Sequence, residues 1–269
     1  DELFNSNVVD IVYVATPHNF HKDLAIEAIK SGKHVLCEKP LGVSRAEVEE
    51  IVAAAKGKKV FMMEGLWSRF NPSVQKAKQM VDNGTIGDVG YLHADFAFYA
   101  LDRGLDSRLL NPDLASGSLL DIGIYPIFLA YLILGMPNEI MATSNFHDNG
   151  TELQTSMIFH YDTAQAILYS GLTGDSKMEA EISGSKGEIF IHPRWHEADG
   201  CSLVKEEKTQ QFDLPRQGNG FVYEIEEVHR CLKAKKLESD LWSHQNSLDL
   251  AELLDTIRKK CGITFPFEG

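Results

Sequence analysis

Short apolar runs alternate with helical patterns over residues 1–65. Residues 8–14 form a β-branched apolar run, and two further runs follow at 34–37 and 59–63. Two segments with apolar residues at helical spacing separate these runs. The second of these segments begins with a capping box at Ser44. The order strand, helix, strand, helix, strand predicts a parallel sheet with its crossover helices on the faces.

From about Val89 the pattern changes to longer strand-like segments separated by turns. Residues 91–99 alternate between apolar and polar positions and place Phe96 on the apolar face. This pattern is typical of an antiparallel sheet with one open face. We therefore predict an α/β region followed by an α+β region. The later predicted strands are 153–161, 164–172, 178–183, 188–192, 201–205 and 210–214, and the predicted closing helices are 221–235 and 244–261.

The composition and net charge of the chain limit the classes of partner that it can bind. The net charge of -13 argues against nucleic acid and anionic membranes as partners. The longest apolar stretch, 119–134, is interrupted by Asp121 and Pro126, so we interpret it as a buried helix. No signal peptide is visible. The four cysteines are widely spaced, which predicts a reduced cytoplasmic chain with neither a disulfide framework nor a metal site.

Lys39 lies between Glu38 and Pro40, where the second predicted strand ends. The strand ends of an open α/β sheet present residues to a ligand, so a lysine held there is a candidate catalytic group. From its spacing alone, Lys39 is equally well interpreted as a surface lysine. The surrounding Glu-Lys-Pro sequence favours catalysis.

Asp121 and Tyr125 form a second chemical cluster, four residues apart on the apolar helix. A tyrosine hydroxyl, with a pKa near ~10, is a poor base unless a cation stabilises the phenolate. Lys39 is a candidate for that cation. Alcohol oxidation removes the hydroxyl proton as hydride leaves carbon, so a Tyr/Lys pair beside a nicotinamide is chemically sufficient. Alternatively, Tyr125 is a core residue and Asp121 a helix N-cap.

The glycine fingerprint of a dinucleotide-binding turn is missing. No G-x-G-x-x-G occurs in the sequence. The fold is therefore different, or residues that precede Asp1 in the natural protein are not part of this sequence. The two histidine pairs, at 18 and 21 and at 192 and 196, lack a further ligand to complete a metal site.

The chain resembles the Gfo/Idh/MocA family, named for glucose–fructose oxidoreductase, inositol dehydrogenase and rhizopine catabolism. The residues that carry the resemblance, in the family's order and spacing, are 15–21, 32–40, 69–72 and 121–125. Residues 64–70, the tyrosine at 125 and the tail 262–266 are similar to the dimeric dihydrodiol dehydrogenases, a subgroup that includes NADP-dependent D-xylose dehydrogenases.

The resemblance implies a role for each matching residue. Lys39 would be the catalytic lysine, Tyr125 the acid/base and Asp121 the accompanying carboxylate. The implied cofactor-binding residues are Thr16, Pro17, His18, Asn19, His21, Glu38, Lys39, Pro40, Trp67 and Arg69, although packing would also explain the last two. The substrate-binding candidates are Trp67, Phe96 and Tyr125 from the resemblance, and Phe221 from its place beside 218–220.

The resemblance also implies the organisation of the protein. Residues 1–65 would be the remaining part of a Rossmann domain, and 66–269 a substrate-binding α+β domain that forms a dimer or tetramer through its sheet. Family members carry about 55 to 60 further residues before the equivalent of Asp1, judged from the size of a βαβ unit.

The implied activity is oxidation of a secondary alcohol of a sugar or cyclic diol with NADP or NAD, NADP being favoured. Three alternatives stay open. One is an epimerase or glycosidase with tightly held NAD, another is a non-catalytic sensor or corepressor on this fold, and the third is a degenerate scaffold subunit.

Overall fold

A computed structural model describes residues 2–268 of the chain. Its first part is a parallel three-stranded sheet in the order β1-β2-β3, with two helices in the connections. The parallel pairing and the crossover helices confirm the α/β prediction. The elements of this part are β1 (Ile11–Val14), α1 (His21–Lys30), β2 (His34–Glu38), α2 (Arg45–Lys58) and β3 (Met62–Gly65).

Local signals explain where the two crossover helices begin and end. Ser44 caps α2, because its hydroxyl accepts a hydrogen bond from the Glu47 amide at 3.3 Å. The reciprocal half of the predicted capping box is absent, since the Glu47 carboxylate accepts instead from the Val43 amide at 2.9 Å. Gly32 follows the end of α1 with a φ of +78°, a conformation that glycine adopts without a Cβ penalty.

The second part of the chain is a mixed eight-stranded sheet. Its order is β11-β10-β9-β8-β4-β7-β6-β5, and all neighbours are antiparallel except β4 and β7. The strands are β4 (Val89–Ala97), β5 (Glu139–Phe146), β6 (Glu152–His160), β7 (Gln165–Gly171), β8 (Ala180–Gly184), β9 (Gly187–Ile191), β10 (Gly200–Lys205) and β11 (Lys208–Asp213). This sheet confirms the predicted α+β region. β5, which the sequence analysis did not identify, is an edge strand.

Within residues 2–268, four α-helices follow the first sheet. They are α3 (Pro72–Asp82), α4 (Ile124–Leu134), α5 (Val222–Lys233) and α6 (His244–Cys261). The segment Pro112–Leu134 is apolar and long enough to cross a membrane, but 78% of its most apolar window is buried inside the fold. It is therefore placed as the core helix of a globular domain would be.

Two apolar clusters form the core. One lies between the three-stranded sheet and the helices α1 and α2, and the other lies under the large sheet. Helix α6 belongs to both, because Ala251 packs into the first cluster while Leu250 and Leu253 pack into the second. Helix α6 therefore packs against both parts of the fold.

Candidate active site

Lys39 leaves the end of β2 and points into the junction between the two parts of the fold. Its ammonium donates hydrogen bonds to the main-chain oxygen of Asp121 and, at 3.2 Å, to the carboxylate of the same residue. The ammonium also lies 5.1 Å from the centre of the Tyr125 ring. The structure thus brings together the three residues that the sequence analysis proposed as catalytic.

Asp121 lies in a π-helical turn, Leu119–Gly123, that leads into α4. The residue is therefore inside the helical turn and is not an N-cap. Glycines at both ends allow this turn to lie against the sheet. A Cβ on Gly117, whose φ is +116°, would lie 3.0 Å from the Glu152 main-chain oxygen. A Cβ on Gly123 would lie 2.8 Å from the Ser170 hydroxyl oxygen.

The Asp121 carboxylate lies next to two cations, Lys39 and Arg108, and one imidazole. Arg108 donates to it at 2.8 Å, and His18 Nε2 lies 3.9 Å away. Burial would raise the pKa of Asp121, but the Lys39 ammonium and then the Arg108 guanidinium hold it well below its usual range. Burial lowers the pKa of His18 to about 3, so this imidazole is neutral. Asp121 is therefore ionised, and its negative charge is matched by Lys39 and Arg108.

Lys39 remains protonated despite its burial. Burial lowers the pKa of Lys39, but the nearby Tyr125, Asp121 and Glu38 outweigh that effect and raise it. Glu38 itself accepts a hydrogen bond from the hydroxyl of Tyr13. Lys39 thus acts as a fixed cation at neutral pH and is not available as a base.

The Tyr125 hydroxyl accepts a 2.7 Å hydrogen bond from the indole nitrogen of Trp67. Burial raises the pKa of Tyr125, while the Lys39 ammonium and the Trp67 hydrogen bond act in the opposite direction. The side chain is therefore a phenol at neutral pH, with two neighbours that favour its phenolate.

A cavity of about 420 Å³ opens beside these residues, at the carboxyl ends of β1 and β2. Its volume lies within the range of small-molecule sites. Strand ends of this kind are where open α/β sheets bind ligands. The lining residues are Ala15, Thr16, Pro17, His18, Glu38, Lys39, Trp67, Arg108, Leu114, Asp121, Tyr125 and Phe221.

Four residues expected at the cofactor do not line this cavity. His21 is fully buried, and its ring nitrogens lie 2.7 Å from the Pro40 oxygen and 2.8 Å from the Thr16 oxygen. It ties together the loops that follow β1 and β2. Asn19 donates to the main-chain oxygen of Asp113 at 3.1 Å. Pro40 follows Lys39 through a cis peptide bond.

Arg69, the fourth of these residues, lies away from the cavity, because its Nε donates to the main-chain oxygen of Leu241 at 2.9 Å. This contact agrees with the alternative interpretation of Arg69 as a packing residue.

Phe96, expected at the substrate, also lies behind the cavity wall. Its ring stacks on His196 with centroids 4.1 Å apart and lies 5.5 Å from the Tyr125 ring. It packs against Tyr125 from strand β4 of the large sheet. Phe221, in contrast, reaches the cavity and packs on Trp67 with a centroid distance of 4.9 Å.

The sequence analysis missed Arg108 and His196. Arg108 comes from an irregular loop with no local motif, and only its contact with Asp121 identifies it. His196 was considered only as a metal ligand. It lies instead in the aromatic group around Tyr125, where burial lowers its pKa to about 3. Among residues 2–268 there is no group of three or more potential ligand side chains that could hold a metal ion.

Comparison with family models identifies both parts of the chain. Residues 1–66 match the model described as the oxidoreductase family with an NAD-binding Rossmann fold. Residues 74–190 match the Gfo/Idh/MocA C-terminal domain. The chain belongs to the Gfo/Idh/MocA family. This membership confirms the expected fold class and the expected nicotinamide-dependent dehydrogenase.

Individual relatives of this Gfo/Idh/MocA chain match over nearly its whole length. A trans-1,2-dihydrobenzene-1,2-diol dehydrogenase of Xenopus tropicalis is 31% identical, and the match covers 99% of this chain and 82% of that protein. An NADP(+)-dependent scyllo-inositol 2-dehydrogenase of Bacillus subtilis is also 31% identical, with coverages of 98% and 82%. An NADP(+)-dependent D-xylose 1-dehydrogenase of Hypocrea jecorina is 32% identical, with coverages of 98% and 76%.

Solved structures agree with the fold. Aldose-aldose oxidoreductase from Caulobacter crescentus, complexed with glycerol, superposes with a TM-score of 0.87 at 25% identity over 97% of this chain and 79% of that one. A 3-ketoreductase from Actinomadura kijaniata, in complex with NADP and TDP-benzene, gives a TM-score of 0.86 at 26% identity over 96% and 80%.

The cavity residues fit the nicotinamide end of such a cofactor. The packed Trp67 and Phe221 rings line the same cavity as the strand-end residues Thr16 and Pro17. The Lys39 ammonium, held by Asp121, also lines it. The sequence holds no G-x-G-x-x-G turn, so no residue of this chain is assigned to the pyrophosphate.

Proposed function

We propose that this protein oxidises a secondary alcohol of a sugar or cyclic diol, with NADP or NAD as hydride acceptor, through a Tyr125/Lys39 acid–base pair. The observation that carries the proposal is the convergence of Lys39, Asp121 and Tyr125 on one cavity at the strand ends. The substrate class is supported by the names of the relatives, which are dehydrogenases of a diol, an inositol and a xylose.

Tyr125 is the group that exchanges the proton. Tyr125 lines the cavity, and its hydroxyl oxygen accepts a hydrogen bond from Trp67. In oxidation the phenolate takes the substrate's hydroxyl proton, and in the reverse reaction the phenol returns it to the carbonyl oxygen. A bound nicotinamide supplies the acceptor for the hydride that leaves the same carbon.

Lys39 supplies a positive charge that favours this proton transfer, and Asp121 fixes the position of that charge. The ammonium of Lys39 lies beside the Tyr125 ring, so it stabilises the phenolate and any negative charge that develops on the substrate oxygen. Asp121 accepts from Lys39 and thereby fixes the direction of the ammonium. Asp121 thus supports the reaction by orientation, without taking up a proton.

A spectrophotometric screen tests the proposal. The purified protein is mixed with NADP or NAD and with xylose, glucose, inositols or cyclic diols, and absorbance at the wavelength of the reduced nicotinamide is followed. We expect substrate-dependent reduction of added NADP or NAD with at least one of these compounds. The proposed dehydrogenase would be contradicted if no member of the panel reduced the added cofactor while the protein bound that cofactor.

The same screen distinguishes the proposed dehydrogenase from an enzyme with tightly held NAD and from a non-catalytic sensor or scaffold. An enzyme with tightly held NAD would convert substrate without consuming the added cofactor, which product analysis of the same mixtures detects. A sensor or scaffold would convert nothing. The full set of Lys39, Asp121 and Tyr125 in one cavity argues against these two alternatives, because ligand binding alone does not require an acid–base pair.

A further inference from the structure

Glu64 is a buried carboxylate that does not touch the cavity. It lies in β3 with 3% of its surface exposed. One carboxylate oxygen accepts from the main-chain amide of Leu41 at 2.9 Å. The other accepts from the indole nitrogen of Trp242 at 3.1 Å and from the Ser247 hydroxyl at 2.6 Å. Glu64 therefore connects three segments that are distant in the sequence.

The three donors to Glu64 lie in two places, the loop that leaves β2 and the beginning of α6. Leu41 is two residues beyond Lys39 in the loop that leaves β2. Trp242 lies just before α6, and Ser247 lies in the first turns of that helix. The carboxylate thus ties the lysine loop to the beginning of the helix that packs into both apolar clusters.

All three partners donate to Glu64, and this pattern requires a carboxylate. The Leu41 amide and the Trp242 indole can only donate, and they address different oxygens. The Trp242 indole also donates to the Ser247 hydroxyl oxygen at 3.0 Å. A glutamine at this position would turn its NH₂ group either toward the Leu41 amide or toward the Trp242 indole. Glu64→Gln is therefore a nearly isosteric change that must break one contact.

Helix α6 holds the same loop at two further points. Arg258 donates from Nη1 to the main-chain oxygen of Val43 at 2.7 Å. Asp255 accepts from the main-chain amide of Arg45 at 2.9 Å. The backbone is thus anchored at every second residue after Lys39 through groups that α6 carries or orients.

We propose that Glu64 is a positioning residue for Lys39: it transmits the packing of helix α6 to the lysine loop and so holds the ammonium against Asp121 and Tyr125. The inference rests on the role of Lys39 given under Proposed function. The competing explanation is a buried polar group that contributes to stability alone.

Glu227 provides a matched control for that explanation. It is also a buried glutamate, and its carboxylate accepts from Arg230 and Ser239. It makes no hydrogen bond to the lysine loop or to the cavity residues in the described part of the chain. Glu227→Gln therefore disturbs a comparable network at a place where Lys39 is not involved.

Hydrogen–deuterium exchange of peptides that cover residues 39–45 provides a test independent of turnover. We expect Glu64→Gln to raise the exchange rate of this segment about 10-fold or more, because the Leu41 amide loses its acceptor or its neighbours rearrange. Glu227→Gln is expected to leave the exchange of this segment unchanged. Equal exchange in the wild type and in Glu64→Gln would overturn the inference.

Kinetics provide the second readout. A displaced Lys39 ammonium no longer lowers the pKa of Tyr125, so the acid limb of the pH profile for oxidation should move to higher pH in Glu64→Gln. We expect kcat to fall about 10- to 100-fold with a smaller change in KM for the alcohol. Glu227→Gln should lower the melting temperature without moving the acid limb. A folded Glu64→Gln with wild-type kcat and acid limb would contradict the inference.

Two milder variants cover the case in which Glu64→Gln does not fold. Trp242→Phe and Ser247→Ala each remove one donor to the carboxylate and leave the Leu41 contact in place. We expect smaller changes in the same direction, and the absence of any change in both would contradict the inference.

If Lys39→Met retained activity, the proposed function itself would fail. An inactive Lys39→Met beside a neutral Glu64→Gln would reject only the positioning role.

Discussion

The charges around Asp121 determine which cavity residues are ionised and which of them can exchange a proton. The carboxylate contacts Lys39 and Arg108, which lower its pKa and keep it ionised at neutral pH. The contact with the Asp121 carboxylate also raises the pKa of Lys39 and keeps its side chain protonated. The neutral His18 adds no third cation. We therefore assign the exchanged proton to Tyr125, whose phenolate the Lys39 ammonium and the Trp67 hydrogen bond favour.

We expect Tyr125→Phe to lower kcat for alcohol oxidation by about 10²- to 10⁴-fold, the usual contribution of a general acid or base. The change removes the hydroxyl and keeps the ring that packs on Phe96. The melting temperature should therefore fall only moderately, by the loss of the hydrogen bond from Trp67. A comparison of kcat and of thermal unfolding for the two proteins checks this, and near wild-type kcat in Tyr125→Phe would assign the proton to another group.

We expect oxidation to become faster as the pH rises from neutral and reduction of the carbonyl product to become slower. Burial raises the pKa of Tyr125, so the phenolate needed for oxidation forms only on the alkaline side. Trp67 donates to the hydroxyl oxygen and lowers that pKa. Trp67→Phe should therefore move the acid limb of kcat/KM for oxidation to still higher pH. Identical limbs in the wild type and Trp67→Phe would contradict this role.

The π-helical turn Leu119–Gly123 carries Asp121 toward Lys39 and is held by the sheet beneath it. Glu152, on β6, accepts from the Leu119 amide at 2.8 Å and from the Ser118 hydroxyl at 2.7 Å. These bonds satisfy donors at the start of the turn, where a helix has no partner of its own. The direction of Asp121 therefore depends on close approach between the turn and β6.

We expect Gly117→Ala to destabilise the protein by about 1–3 kcal/mol and to lower kcat, because an added Cβ meets Glu152 at a positive φ. Gly57→Ala is the matched control. Its site lies within α2, and an added Cβ there meets nothing within 4 Å. This control should be stabilised by about 0.5–1 kcal/mol. Urea unfolding and kcat check both variants, and equal stability of the two would contradict the packing argument.

Elements with a local signal could be predicted from the sequence, and contacts between distant segments could not. The strand–helix alternation and the capping residue Ser44 placed the parallel sheet, and the Glu-Lys-Pro run placed Lys39 at a strand end. Strand β5 was missed because it lies at an edge and exposes residues such as Met141, so its alternation is weak. Arg108 was missed because its importance comes only from folding against Asp121.

Two predicted site residues, Phe96 and Arg69, do not line the cavity, because each contacts a partner that the sequence alone does not identify. The sequence analysis placed Phe96 at the substrate, whereas the fold uses it to stack on His196, which lies 100 residues further along the chain. Arg69 similarly bonds to the main chain of Leu241. Aromatic and cationic residues near a motif suit either a ligand or a neighbouring side chain, and the tertiary fold decides between them.

At the scale of the whole molecule, the open face of the large sheet carries an apolar row. Met141, Ile158 and Ile167 are direct neighbours across β5, β6 and β7. Met141 and Ile167 are 50% and 43% exposed. A row of apolar side chains on an uncovered sheet face is typical of an interaction surface. It is consistent with the expected dimer or tetramer formed through this sheet, of which we take the dimer as the form to test.

We expect the protein to sediment with twice its chain mass of 30.0 kDa. Ile167→Asp should shift it to the monomer, because a buried carboxylate would have no partner at the interface. Val8→Asp is the control, since Val8 is 91% exposed and lies outside the sheet. Analytical ultracentrifugation of the three proteins at equal concentration checks this, and a monomeric wild type would contradict the expectation.

The rate of nicotinamide reduction by Lys39→Met is the most direct test of the central claim, that Lys39 and Tyr125 form the catalytic pair. Methionine keeps much of the length and apolar character of the side chain but removes the ammonium that contacts Asp121 and Tyr125. With a substrate that the wild type oxidises, we predict a loss of turnover of at least about 10²-fold in a folded protein. Turnover within a few-fold of the wild type would contradict the claim.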